Sequence, residues 1–470
     1  MFDYIIIGGG SAGCVLAARL SEDPQITVAL LEAGPVDSSV LIHCPAGLAL
    51  LAQNKQANWA FETTPQAGLN GRRGYQPRGK VLGGSSSVNA MVYTRGHPTD
   101  YEHWLAQGNP GWSYAAVLPY FKKAEHNERA FGPEGTDYHG VDGPLNVMDL
   151  RSPNKFGPIF VAAAKQAGHP ENHDFNGAQQ HGMGMYQVTH KNGERYSAAK
   201  AYLTPNLARP NLTVITGAHT TRILLEGKRA VGVEYRHGET LQQLKAAREV
   251  LLCAGALQSP QLLMLSGIGP AAELHQHGIA VVHDLPGVGE NLHDHLDVVQ
   301  IVNAPHVKDL FGLSLSGLVR GIQGIFEWRK YRTGLLTSNF AEAGGFIKTS
   351  PQEPVPDLQL HFVVGKLIDH GRKTTFGNGY SCHVCLLRPL SRGRVTLASS
   401  DPLAAPLIDP NFLAEKDDLT RLVRGFKQMR AILSQPALAA YRGQELPISA
   451  QAQTDAQIED FIRSKADTIY

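Results

Sequence analysis

The chain has 470 residues, 43% hydrophobic and 18% charged, with a formal net charge of +1. That length exceeds one small core and predicts two domains of ordinary globular composition. The near-neutral balance argues against nucleic acid as a partner, and five scattered cysteines argue against a disulfide framework and for a reducing compartment.

The first element, Asp3-Tyr4-Ile5-Ile6-Ile7, is short, apolar and rich in β-branched residues. It reads as a strand buried on both faces of a parallel sheet. Because Met1 leads straight into it, no signal peptide is expected. Gly8, Gly10 and Gly13 then fall in a G-x-G-x-x-G spacing. Cys14, Ala17, Ala18 and Leu20 continue as a helix, and Thr27 to Leu31 form a second apolar run ending at Glu32. Gly8 suits a tight turn, Gly10 lets a pyrophosphate approach the backbone, and Gly13 lets the helix pack close to the strand. The helix N-terminus would face the phosphates. Glu32 is placed to accept from ribose hydroxyls and disfavours a 2′-phosphate, which leaves FAD or NAD.

Residues 34–74 lack strong periodicity and read as a surface excursion, with Trp59 and Phe61 as anchors. Residues 77–90 are dense in glycine and hydroxyls, as suits a loop leading into a helix with backbone close to a ligand. Residues 100–125 read as helical, 131–143 as a surface loop or lid, and 156–167 as an amphipathic helix. Short strands are expected at 212–216, 221–225 and 230–235, then a buried strand at 249–253. Ser259 and Pro260 read as N-cap and first residue of the next helix. Residues 358–364, 381–387 and 394–397 look like antiparallel strands, and 418–433 and 455–469 like helices. Cys382 and Cys385 lie in a strand reading, where i and i+3 point to opposite faces, so no metal is assigned there.

In 310–326, Phe311, Leu315, Leu318, Ile322 and Ile325 form one helical stripe. Two readings stand: the stripe packs on its own domain's core, or it touches a membrane surface, with Arg320, Arg329, Lys330 and Arg332 beside anionic headgroups. No apolar run is long enough to span a bilayer.

Several stretches together resemble the glucose-methanol-choline oxidoreductases: residues 8–34, 77–96, GALQSPQLLMLSGIGP at 255–270 and LPGVGENLHDH at 285–295. PLSRGRVTL at 389–397 extends the similarity, which covers essentially the whole chain. Within that family the chain is most similar to bacterial alcohol dehydrogenases acting on aliphatic primary alcohols, with choline dehydrogenases next. The resemblance implies an α/β fold: an FAD-binding Rossmann-like domain (1–155 and 205–295) and an α+β substrate domain on an antiparallel sheet (156–204 and 296–470). Gly8, Gly10, Ser11, Ala12, Gly13, Glu32 and Ala33 would hold the ADP half of FAD. Val81, Gly83, Gly84, Ser85, Asn89, Ala90 and Val92 would line the flavin, and Thr220 would contact adenine through its backbone. Val88 stands where some members carry a linking histidine, so FAD is expected to be non-covalent.

His361 matches a substrate-pocket histidine of the choline-oxidising branch, and Glu342 is a second pocket candidate. His293 and His295 flank Asp294 in a loop expected to be structural, so no metal is implied. The family's catalytic histidine is expected just after Tyr470, so no catalytic base is assigned, and these 470 residues alone are expected to oxidise alcohols poorly. The expected partners are a small-molecule alcohol, a quinone or other electron acceptor, and a peripheral membrane contact. The expected location is the cytoplasm, at the inner face of the membrane.

Overall fold

A computed structural model describes residues 1–51, 54–131, 135–369, 372–373 and 375–470. Residues 132–134 of the loop expected at 131–143 lie outside the described residues.

Two sheets organise the chain. The first contains β1 (Phe2–Ile7), β2 (Val28–Glu32), β3 (Leu212–Thr216), β4 (Ala218–Glu226), β5 (Arg229–His237) and β6 (Thr240–Leu252). Its six strands run in the order β3-β2-β1-β6-β5-β4. β3, β2 and β1 are parallel, and Ile5, Ile6 and Ile7 pair in parallel with Val250, Leu251 and Leu252 of β6. The first half of β6 runs antiparallel to β5. One long strand therefore belongs to the parallel core and to the β4–β5 meander. Ile5, Ile6 and every residue of β2 are buried, as strands covered on both faces require.

The second sheet is antiparallel. It contains β7 (Leu296–Asn303), β8 (Gly312–Leu313), β9 (Ala341–Ile347), β10 (Leu358–Val363), β11 (Gly377–Leu386), β12 (Gln444–Glu445) and β13 (Asp467–Thr468). The path is β9-β10-β11-β7-β12, with β8 on β11 and β13 on β7. Its two faces differ. Leu358, Leu360, Phe362, Cys382 and Val384 pack with residues of the helices Phe156–Gln166, Lys416–Leu433 and Asp455–Lys465. There the rings of Phe160 and Phe362 stack at 4.7 Å. Each such side chain contributes roughly 1.5–3 kcal/mol on burial. The alternate residues Gln359, His361, His383 and Asp297 lie on the other face.

The architecture is the expected one, a Rossmann-like domain joined to an α+β domain on an antiparallel sheet. Several local expectations change: the helix read over 100–125 is two, Pro98–Ala106 and Tyr114–Ala124. The helix placed at Pro260 begins at Gly255, whose φ of +79° favours glycine, so Pro260 lies inside it. The helix expected across 455–469 stops at Lys465. Ala466 is extended, and the Asp467 carboxylate accepts from the N–H groups of Tyr75 and Thr468, which draws β13 onto β7. Finally, Ala199, Ala201, Tyr202 and Leu203 pack against Cys14, Ala17 and Leu30, beside the first sheet. Ala199–Leu203, within the 156–204 stretch expected in the second domain, thus lies against the first sheet.

Candidate functional site

The glycine loop does what its spacing predicts. A Cβ on Gly13 would lie 1.9 Å from the Gly8 carbonyl oxygen, so only glycine lets the helix Ser11–Leu20 sit this close to β1. Gly8 has φ +98°, and its bare Cα faces the Cys253 carbonyl. Cys14, Ala17 and Ala18 are small enough to bury between that helix and the sheet.

A second glycine loop seals the first. Gly83 N donates to Gly9 O at 2.7 Å. Gly84 has φ +54°, and a Cβ there would lie 2.7 Å from the Gly10 Cα. Two stretches far apart in sequence thus meet backbone to backbone.

Glu32 ties the junction together. Its Oε2 accepts from Gly9 N and its Oε1 from Gly34 N, each at 2.8 Å. Burial pushes its carboxyl up to about 7, against the lowering effect of the Gly34 and Gly9 donors and of the Lys80 charge. Each oxygen keeps a further lone pair for another donor.

These elements enclose a cavity of about 520 Å³. Gly8, Gly10, Ser11, Ala12, Glu32, Ala33, Gly84, Ser85 and Thr220 line it. Gly13, Val81, Gly83, Asn89, Ala90 and Val92 do not. Val81 is buried with Ile42, Leu51 and Ala57. Asn89 Oδ1 accepts from Arg195 Nη1 at 2.8 Å, and Ala90 O accepts from Asn339 Nδ2 at 2.8 Å. Val92 packs with Phe175, Tyr186 and Phe346.

The sequence reading missed several lining residues: Trp59, Arg78, His219, Pro402 and the start of the helix Gly255–Leu265. Trp59 meets His219 edge-on at 5.7 Å, and His219 Nε2 lies 3.1 Å from the Pro402 carbonyl. The resemblance at residues 255–270 was the available signal for the helix; nothing local marks Pro402.

The donor set fits a dinucleotide. Two helix N-termini, at Ser11 and Gly255, open on the cavity and favour anionic phosphates. Glu32 offers an acceptor at the end of β2. Thr220 Oγ1 is buried with no hydrogen-bond partner among the described residues. A bulge follows Thr220 in its pairing with β5 and aims this backbone at the cavity rim.

Neither substrate-pocket candidate lines this cavity. His361 stacks on Tyr186 with ring centroids 5.4 Å apart and faces His383 across β10 and β11. Burial first, then the nearby His383, lowers its pKa to about 4, so its ring is neutral at ordinary pH. Glu342 is fully buried, accepting from Ser338 Oγ at 2.5 Å and from Asn154 N at 2.6 Å. Among the described residues no cluster of histidine, cysteine or acidic side chains could hold a metal ion.

Family models described as GMC oxidoreductase match residues 2–297 and 389–470. The chain belongs to the GMC oxidoreductase family. It is 50% identical to the "Alcohol dehydrogenase [acceptor]" of Pseudomonas putida, over 100% of this chain and 85% of that protein. It is 44% identical to the mitochondrial choline dehydrogenase of Homo sapiens, over 100% of this chain and 79% of that protein. Among solved structures, an FAD-dependent oxidoreductase from Chaetomium thermophilum superposes with a TM-score of 0.88 at 29% identity. That match covers 100% of this chain and 88% of the other. This GMC chain is therefore an FAD-dependent oxidoreductase acting on CH–OH donors.

Proposed function

We propose that the protein oxidises a primary alcohol to the aldehyde and passes the electrons to a quinone or another acceptor, in the cytoplasm at the inner face of the membrane. The observation that carries this reading is 50% identity, over the full chain, to an alcohol dehydrogenase that uses a separate acceptor. When bound, FAD supplies the hydride acceptor at flavin N5. The chain's own residues hold and orient. Gly8, Gly10 and Ser11 would present backbone to the pyrophosphate, Glu32 would take the adenosine ribose hydroxyls, Thr220 would meet the adenine, and Gly84 would line the flavin. Val88 in place of a linking histidine supports non-covalent FAD. His361, neutral at working pH, is assigned to orient the alcohol, and no residue of this chain is assigned as the general base.

A specific observation weighs against choline. Recognition of its ammonium group needs a carboxylate or an aromatic cage. Glu342 is buried and occupied by Ser338 and Asn154, and burial raises its pKa. Glu327 is exposed on the helix Leu315–Tyr331 and accepts from Thr333 Oγ1 at 3.1 Å. The deciding experiment is dye-linked turnover of the holoenzyme on straight-chain primary alcohols and on choline. Higher kcat/KM on the neutral alcohols is expected, and a preference for choline overturns the reading.

A further inference from the structure

The helix Leu315–Tyr331 is turned the wrong way round for an ordinary surface helix. Such a helix buries its large apolar side chains. Here Leu315, Leu318, Val319, Ile322, Ile325 and Phe326 are 83%, 64%, 49%, 49%, 47% and 70% exposed. At 3.6 residues per turn these six share one side, and Gly317, Gly321, Gly324 and Trp328 share the other. Gly324 and Trp328 are buried. A Cβ on Gly317 would lie 2.1 Å from the Gly312 carbonyl oxygen, and one on Gly324 would meet Leu336 at 3.4 Å. The helix thus turns Gly317, Gly324 and Trp328 toward the protein and its aliphatic side chains and Phe326 toward solvent. Leu313, 52% exposed, and Phe376, 84% exposed, extend the patch past the helix N-terminus, where the two residues are bridged.

Basic residues surround the patch. Lys308, Arg320, Arg329 and Lys330 stand in or beside the helix, against Asp309 and Glu327, while Arg332 at its C-terminus is paired with Glu194 at 2.9 Å. Arg320 donates to the carbonyls of Lys308, Asp309 and Leu310, and Lys366 to Asn303 Oδ1 and the Phe376 carbonyl. These acceptors are neutral, although the nearby Asp309 carboxylate also feels the Arg320 charge. This local excess of positive charge stands out in a chain whose net charge is only +1.

We infer that this face docks on an anionic lipid bilayer, with the helix lying in the interface and its apolar side, Leu313 and Phe376 among the acyl chains. No helix among the described residues is long and apolar enough to cross a membrane, so the contact is interfacial. The charge pattern selects lipid over a second copy of the chain. A two-fold contact would bring the basic rim against itself, whereas acidic headgroups complement it. The docking rests on this surface alone. Only its use, in handing over an apolar alcohol or reaching a quinone in the bilayer, depends on the proposed reaction.

The test uses the holoprotein with vesicles of phosphatidylglycerol in phosphatidylcholine, and with phosphatidylcholine alone. Binding to the anionic vesicles, weakened by salt, is expected. The triple variant Leu318→Ser, Ile322→Ser, Phe326→Ser should lower the partition coefficient on the order of tenfold or more. Its melting temperature and its turnover with a water-soluble dye should not change. A second variant, Phe326→Trp, should show fluorescence quenching by brominated lipid and serves if the triple variant unfolds. Equal binding to neutral vesicles, an unquenched Trp, or self-association that the triple variant abolishes without vesicle binding overturns the proposal. Vesicle binding without alcohol turnover would sink the reaction and leave the docking intact.

Discussion

Asp297 Oδ2 accepts a hydrogen bond from His383 Nδ1 at 2.6 Å, with the two residues 1% and 2% exposed. β7 carries the acid and β11 the histidine, and His361 faces His383 from β10. A polar seam therefore crosses three strands on the face away from the helices. Removing Asp297 takes away the acceptor of the His383 Nδ1 hydrogen bond. Asp297→Ala should cost about 1.5–3 kcal/mol of stability. Asp297→Asn should cost less, because the amide oxygen still accepts from Nδ1. Urea unfolding of the holoprotein checks both, and an alanine variant within about 1 kcal/mol of the parent excludes a structural role for the pair.

Glu32 joins Gly9 and Gly34. Glu32→Ala leaves both N–H groups without that acceptor, at about 1–3 kcal/mol. FAD affinity should fall about 5- to 150-fold, read by titrating the apoprotein with FAD. Unchanged affinity would mean that the loop holds its shape without the carboxylate.

Gly84→Ala places a Cβ 2.7 Å from the Gly10 Cα at a backbone φ of +54°. The two glycine loops must part, and purified variant protein should carry substoichiometric FAD. Gly71→Ala is the control: its φ is also positive, at +76°, but a Cβ there meets nothing within 4 Å. Full flavin loading of both variants refutes the requirement for close approach at Gly84.

Val88 cannot form the histidyl link to flavin found in some relatives. Acid-precipitated holoprotein should release its yellow colour into the supernatant. Flavin retained by the washed pellet contradicts non-covalent binding.

His361 has a folded pKa lowered to about 4, against about 6.5 when unfolded. Between those values the unfolded chain binds more protons. His361 therefore makes stability rise with pH across that window, and the contribution is lost as pH falls through it. His361→Gln should flatten the acid limb of melting temperature against pH between about 4 and 6.5. An unchanged limb assigns the acid sensitivity to other groups.

The sequence made some of this legible and hid the rest for physical reasons. β1, the Gly8 to Gly13 loop and Glu32 were readable because a buried strand, a tight turn and a close helix each restrict residue type locally. The helix start was misplaced because Ser259 and Pro260 satisfy a local capping rule that Gly255 pre-empts five residues earlier. Trp59, His219 and Pro402 meet only through tertiary folding, so no spacing could bring them together. Glu342 was chosen as a carboxylate near the expected pocket, and its burial against Ser338 and Asn154 has no local signature. The periodicity of 310–326 located a stripe but could not say which way it points. Periodicity fixes only the angle between side chains, and the glycines opposite the stripe decide which side can approach the protein.

The long strand β6 sets the order in which the protein can be made. Ile7, at the mouth of the dinucleotide loop, pairs with Leu252. The ribosome completes the loop early but delivers its far-side neighbour late. At roughly 5–20 residues per second, that strand emerges on the order of ten seconds or more after the loop. Until then β1 has β2 on one side and an open edge on the other. Flavin capture is thus a late event in biosynthesis, and the nascent chain must shelter an apolar strand edge until β6 arrives.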